Sequence, residues 1–157
     1  MNSGVTFALP NVASTARFAA LVAAHLKAPI QLGLKGDLGS GKTTFVRSLC
    51  AEMGIGDPVS SPTYVLQHVY ERPKLVIEHW DLYRCNSAPE ELLDPAPDNT
   101  IRLIEWPEKC PEVLQQCLYL LHFEYTFDSQ TPLDRRVTMI GFEPEITERV
   151  QKTWHHP

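Results

Sequence analysis

Apolar positions recur along this chain with two periods, and the switches between them mark out its elements. The stretch "GVTFALPN" alternates and predicts a short strand. Phe18, Leu21, Val22, His25 and Leu26 then fall on one face at helical spacing, with Asn11 or Ser14 available as the cap. This helix is expected to end near Lys27, before Pro29. The run "IQLGLK" predicts a buried strand, and after a glycine-rich loop "TTFVRSLCAEM" predicts a helix ended by Gly54 or Gly56. "VSSPT" reads as a loop in which the proline forces Ser61 towards an extended conformation. "YVLQHVYE" and "LVIEHWDLY", joined by "RPK", predict a hairpin.

The second half repeats the pattern. A short helix is expected at "APEELL", then a proline-rich loop "DPAPDN", a strand at "TIRLIEW" and a helical turn at "CPEVLQQ". "LYLLHFEYTF" and "RRVTMIGFE" predict two closing strands, and "PEITERVQKTW" a terminal helix. No internal repeat, low-complexity tract or linker interrupts the series. The expectation is one α/β domain over residues 1–157, with a mixed central sheet flanked by helices.

Composition narrows the function. The formal net charge of -5 argues against sequence-independent nucleic-acid binding by the chain alone. Cys50, Cys85, Cys110 and Cys117 form no CxxC pair and no zinc-like spacing, which fits free, mostly buried thiols in a reducing cytosol. "RFAALVAAHLKA" is too short an apolar run for a secretory signal and reads better as an amphipathic helix. No longer apolar stretch follows, so a cytoplasmic protein without a membrane span is expected.

The chemistry concentrates in "GDLGSGKTT". Gly36, Gly41, Lys42 and Thr43 satisfy G-x-x-x-x-G-K-[ST], between a predicted strand and a predicted helix. Glycines let successive N–H groups converge on a phosphate, the opening helix adds its positive end, and lysine reaches the β- and γ-phosphates. The Thr43 hydroxyl is suited to Mg²⁺. Such a site also needs an acidic group, and Asp81 and Glu105 lie near the ends of β-like runs, where ligands gather in α/β sheets. A solvated carboxylate, or an Asp81–Arg84 ion pair, is the plainer alternative for either one alone. Ser60, Ser61 and Thr63 could sense a γ-phosphate, although turn bonding explains them equally. Tyr83 and Trp106 read as core or interface aromatics, and His79 as a hydrogen-bonded sheet residue. The absence of N-K-x-D makes ATP the default nucleotide.

The ordered set "GDLGSGKTTF", "SPTY", "HWDLYR" and "LIEWPE" resembles the TsaE (YjeE) family of bacterial ATPases, from Gly36 to Glu108. The resemblance implies a small P-loop fold and a part in making threonylcarbamoyladenosine in tRNA. It also implies binding to the TsaB–TsaD pair, which ATP binding and hydrolysis reset between turnovers, with tRNA engaged only indirectly. Carried onto this chain, the phosphate cradle comprises Asp37, Leu38, Gly39, Ser40, Gly41, Lys42, Thr43 and Thr44, and the nucleotide also touches Asn11 and Val12. Thr43 and Glu105 become Mg²⁺-linked, with Asp81 a second metal-linked or water-orienting carboxylate. Ser61–Thr63 become switch-like, and Trp106 lies beside the site. One departure is the loop from Leu93 to Thr100, where two prolines replace a helical stretch and put any partner contact there in doubt. The competing function is a small-molecule P-loop kinase, although 14 Lys plus Arg over the whole chain is thin material for a basic lid.

Overall fold

A computed structural model describes residues 4–128 and 131–156. Its centre is a seven-stranded sheet: β1 (Val5–Ala8), β2 (Ile30–Lys35), β3 (Gln67–Arg72), β4 (Leu75–Asp81), β5 (Thr100–Glu105), β6 (Tyr119–Asp128) and β7 (Thr131–Ile140). The spatial order is β1-β7-β6-β2-β5-β4-β3. The four inner strands β6, β2, β5 and β4 run parallel, and β1, β7 and β3 join antiparallel at the edges. This is the mixed α/β sheet that the pattern predicts, and β2 is buried on both faces, as its unbroken apolar run requires.

Helices cover both faces. On one side lie α1 (Val12–Ala23), α2 (Lys42–Glu52) and α4 (Pro144–His155), and on the other α3 (Pro111–Gln116) with two 3₁₀ turns at Glu90–Leu92 and Pro107–Lys109. The first core is built on a chain of rings, Phe7–Phe18–Phe45–Phe123, with successive centroids 5.2, 5.9 and 5.5 Å apart. The second packs Trp80, Leu82, Leu92 and Ile104 against Cys110, Val113 and Cys117. Phe45, on the helix that opens at the glycine loop, is wholly buried. The packing of the first core therefore fixes the loop's far end.

The element boundaries shift where local hydrogen bonds compete with periodicity. Asn11 caps α1: its Oδ1 accepts from the Ser14 N–H at 2.8 Å, and Ser14 Oγ accepts from the Asn11 N–H at 3.1 Å. The helix stops at Ala23 rather than near Lys27, because its end tightens, with His25 N–H donating to Val22 O at 2.9 Å and Leu26 N–H shared between Val22 O and Ala23 O, and Pro29 keeps Ala28 out of helical conformation. Gly54, at φ +76°, ends α2, and Ile55 N–H donates to Cys50 O at 2.9 Å. The hairpin begins at Gln67, since Tyr64–Leu66 wrap into a turn whose Val65 and Leu66 N–H groups both donate to Pro62 O. "APEELL" forms only the 3₁₀ turn at Glu90–Leu92. The loop from Leu93 to Thr100 leads into the N-terminal end of β5, and Arg102 donates to Asp94 O at 2.8 Å.

All four cysteines are free, as expected. Burial pushes the Cys50 and Cys117 thiols up to about 12 and raises those of Cys110 and Cys85 as well. Cys85 is only half-buried. A disulfide-exchange reagent at pH 8 should therefore label Cys85 first and reach Cys50, Cys110 and Cys117 only as the protein opens. Equal labelling rates for all four under native conditions would contradict this packing. Among the described residues no helix is long and apolar enough to cross a membrane.

Candidate nucleotide and metal site

The glycine loop leaves the end of β2 at the centre of the sheet, beside the ends of β5 and β4. Gly36 has φ +143°, and a Cβ there would stand 2.3 Å from the backbone oxygen of Phe123. The loop can thus turn tightly over β6 only with glycine at this position. Gly41 stands at the N-cap of α2 with φ +108° and offers no side-chain cap. The first N–H groups of α2 have no partner within the helix, so they and the helix dipole face the space above the loop.

That space is a cavity of about 480 Å³. Leu38 through Thr44 line it, together with Asn11, Val12, Ser61, Thr63, Asp81 and Glu105. Asn11 and Val12 line it at the N-terminal end of α1. Asp37 is the exception in the predicted cradle. It supplies its carbonyl to the Lys42 Nζ at 2.9 Å, while the residue lines a small cavity on the other side with Lys35, Glu108 and His122. A larger cavity of about 770 Å³ lies elsewhere, between the start of β2 and α4, and holds none of the predicted site residues. The loop from Leu93 to Thr100 contributes Pro95 and Ala96 there, far along the sheet from the two carboxylates.

Lys42 is buried, and its ammonium donates to the carbonyls of Gly36 and Asp37. It also lies 4.3 Å from the centre of the Trp106 ring. Burial lowers its pKa, opposed by the charges of Glu105, Glu108, Asp81 and Asp37. An anionic phosphate entering the cavity would act in the same direction as those carboxylates and favour the charged ammonium.

The two carboxylates are neighbours by register. Asp81 pairs with Glu105 at the ends of the parallel strands β4 and β5. Glu105 is buried, and its Oε1 accepts from Thr43 Oγ1 at 3.1 Å and from His79 Nε2 at 2.9 Å. Asp81 Oδ2 accepts from Thr63 Oγ1 at 2.8 Å, and its Oδ1 from the Tyr83 N–H at 2.9 Å. The Ser61 and Thr63 hydroxyls are 2.6 Å apart. Glu105 thus faces the loop threonine, and Asp81 ties the "SSPT" segment to the sheet. The Asp81–Arg84 pair does not form: the Arg84 guanidinium lies over the Tyr64 ring. Trp106 adopts φ +59°, ψ +44°, a costly backbone for an aromatic residue, and its ring packs 4.9 Å from that of Tyr83.

The donor set suits a magnesium nucleotide: a converging glycine loop, a lysine, a threonine hydroxyl and a carboxylate within reach of each other. The sequence pattern read His79 only as a hydrogen-bonded sheet residue and missed Arg135. His79 is wholly buried against Glu105, a contact set by cross-strand geometry rather than spacing. Arg135, on β7, lines the cavity with its guanidinium 3.4 Å from Gly39 O, so a second cation stands at the glycine loop. Only the sheet order, which brings the closing strands back beside β2, places it there.

Comparison with known proteins places the chain in a family. The family model for threonylcarbamoyl adenosine biosynthesis protein TsaE matches residues 9–137. The chain is similar to proteins named tRNA threonylcarbamoyladenosine biosynthesis protein TsaE from several bacteria. It is 32% identical to that of Synechocystis sp., over 73% of this chain and 77% of the relative. For Haemophilus influenzae the figures are 37%, 70% and 72%, and for Bacillus subtilis 37%, 68% and 68%. The crystal structure of Bacillus subtilis YdiB has the same fold, with a TM-score of 0.68 at 21% identity, over 99% of this chain and 96% of that one. From Leu9 to Val137, the stretch that carries the glycine loop and both carboxylates, this chain belongs to the TsaE family.

Proposed function

We propose that this protein is a Mg²⁺-dependent P-loop ATPase of the cytoplasm, required for threonylcarbamoyladenosine modification of tRNA. In this reading it binds the TsaB–TsaD complex and uses ATP binding and hydrolysis to reset that complex between turnovers. The observation that carries the ATPase part is the hydrogen bond of Glu105 to Thr43 at the mouth of the glycine loop. It joins the hydroxyl and the carboxylate suited to one Mg²⁺ beside a cradle for phosphates.

The residues divide the work. The backbone of Leu38–Thr44 and the start of α2 hold the phosphates, and Asn11 and Val12 border the rest of the nucleotide. Lys42 moves from the Gly36 and Asp37 carbonyls to the β- and γ-phosphate oxygens. Arg135 adds positive charge beside Gly39. Thr43 and Glu105 hold Mg²⁺, which when bound neutralises charge on the phosphates. Asp81 orients water or supports the metal, and through Ser61 and Thr63 it connects this function to an exposed segment. A net charge of -5 leaves tRNA contact to the partners.

The exposed segment suits a partner-dependent enzyme. Tyr64 is 86% exposed immediately beyond Thr63. Turnover alone should be slow, and TsaB–TsaD should stimulate it about tenfold or more by ordering Ser61–Thr63 and excluding water. Trp106→Ala should reduce stimulated turnover more than ATP affinity, because the ring touches both Lys42 and Tyr83. Phosphate release measured against TsaB–TsaD concentration, for parent and variant, tests both statements. A flat response with partners from the same organism would remove the partner role, and phosphate transfer to an added small molecule would point to a kinase instead.

A further inference from the structure

We infer that His79 is a positioning residue for the metal-binding carboxylate: by engaging Glu105 Oε1 it holds Oε2 towards the cation. This rests on the Mg²⁺ reading of Glu105 and extends it to a residue outside the predicted set. The imidazole is wholly buried in β4, on the face of the sheet that packs under α2. Its strand neighbour on that face is Ile77, and its register partner on β5 is Leu103, both fully buried. On β3 its register partner is His68, whose Nδ1 lies against the Ser60 carbonyl, so the buried imidazole of His79 takes its compensating bond elsewhere.

That bond is the one to Glu105. Nε2 is 2.9 Å from Oε1, and Nδ1 has no partner among the described residues. A carboxylate oxygen accepts, so the ring hydrogen lies on Nε2 and points at Glu105. Thr43 donates to the same oxygen, while Oε2 receives no hydrogen bond among the described residues. Two donors on one oxygen fix the carboxylate's rotation and leave the other oxygen for a ligand. A metal-site carboxylate held by a buried donor behind it is a recurrent arrangement, and losing the donor lowers metal affinity about 10–100-fold.

The test separates the hydrogen bond from the packing. His79→Phe keeps the ring volume without the donor. His79→Gln places an amide N–H near the Nε2 position, whereas His79→Asn places one near Nδ1, short of Glu105. Calorimetry with AMPPNP, with Mg²⁺ and with EDTA, gives the Mg²⁺-linked gain in nucleotide affinity without any turnover. The gain should fall about 10–100-fold in His79→Phe and His79→Asn and return to within about threefold of the parent in His79→Gln. Affinity in EDTA should stay within about twofold throughout, since the phosphate cradle is untouched. If His79→Phe does not fold, the Gln–Asn difference decides. A parent gain that Phe or Asn retains, or that Gln loses as fully as they do, overturns the role of His79. A parent without any Mg²⁺-linked gain overturns the reading of Glu105 as well.

Discussion

Replacing Lys42 by alanine is expected to lower ATP turnover at least about a hundredfold while the protein stays folded. Lys42 is the cation inside the glycine loop, and a charge-assisted contact that strengthens as phosphate charge develops contributes roughly 2–4 kcal/mol. The fold should survive because the ammonium holds loop carbonyls, the Ser40 hydroxyl and the Trp106 face, whereas the ring chain through Phe18, Phe45 and Phe123 fixes α2. Losing those contacts is offset by removing a buried charge, whose pKa is already lowered by desolvation. Phosphate release under stimulated conditions, with thermal unfolding as the control, measures both. Parental turnover in folded Lys42→Ala protein would displace the lysine from the phosphates.

Glu105→Gln should cost about as much, and for a different reason. The amide oxygen can still accept from Thr43 and His79, so the substitution removes the charge while keeping the shape. Mg²⁺-dependent turnover should fall about a hundredfold, with nucleotide affinity in EDTA unchanged. Asp81→Asn should lower turnover less, about tenfold, because Asp81 bonds the Ser61–Thr63 segment rather than the loop threonine. Rates at saturating ATP over a Mg²⁺ series distinguish the two. If both variants work at the parental rate with partners present, the acidic pair is structural.

The glycine loop was legible in the sequence because its chemistry is contiguous: strand, turn and helix follow one another within a few residues. The acidic pair was legible as two carboxylates at strand ends, but not as register partners, since periodicity says nothing about which strands lie side by side. His79 was legible as a hydrogen-bonded sheet residue but not by its partner, and Arg135 was hidden, for the same reason. One reaches the site across β4 and β5, and the other returns to it from the seventh strand. Asp37 is the reverse case: inside the motif, it gives its carbonyl to Lys42 while the residue lines another cavity. The strand reading at Tyr64–Leu66 failed because apolar residues on an exposed turn imitate a buried run when the Pro62 carbonyl organises them locally.

The pairing of Asp81 with Glu105 also says where this chain can change length. Their separation is fixed by the ladder between β4 and β5, in which each residue of one strand has a set opposite on the other. Deleting one residue inside either strand would send a carboxylate to the opposite face of the sheet. Residues added between Cys85 and Asn99, by contrast, would enlarge a connection that enters β5 at its far end and leave the pairing unchanged. Insertions compatible with activity should therefore collect in that proline-rich connection and stop where the ladder begins.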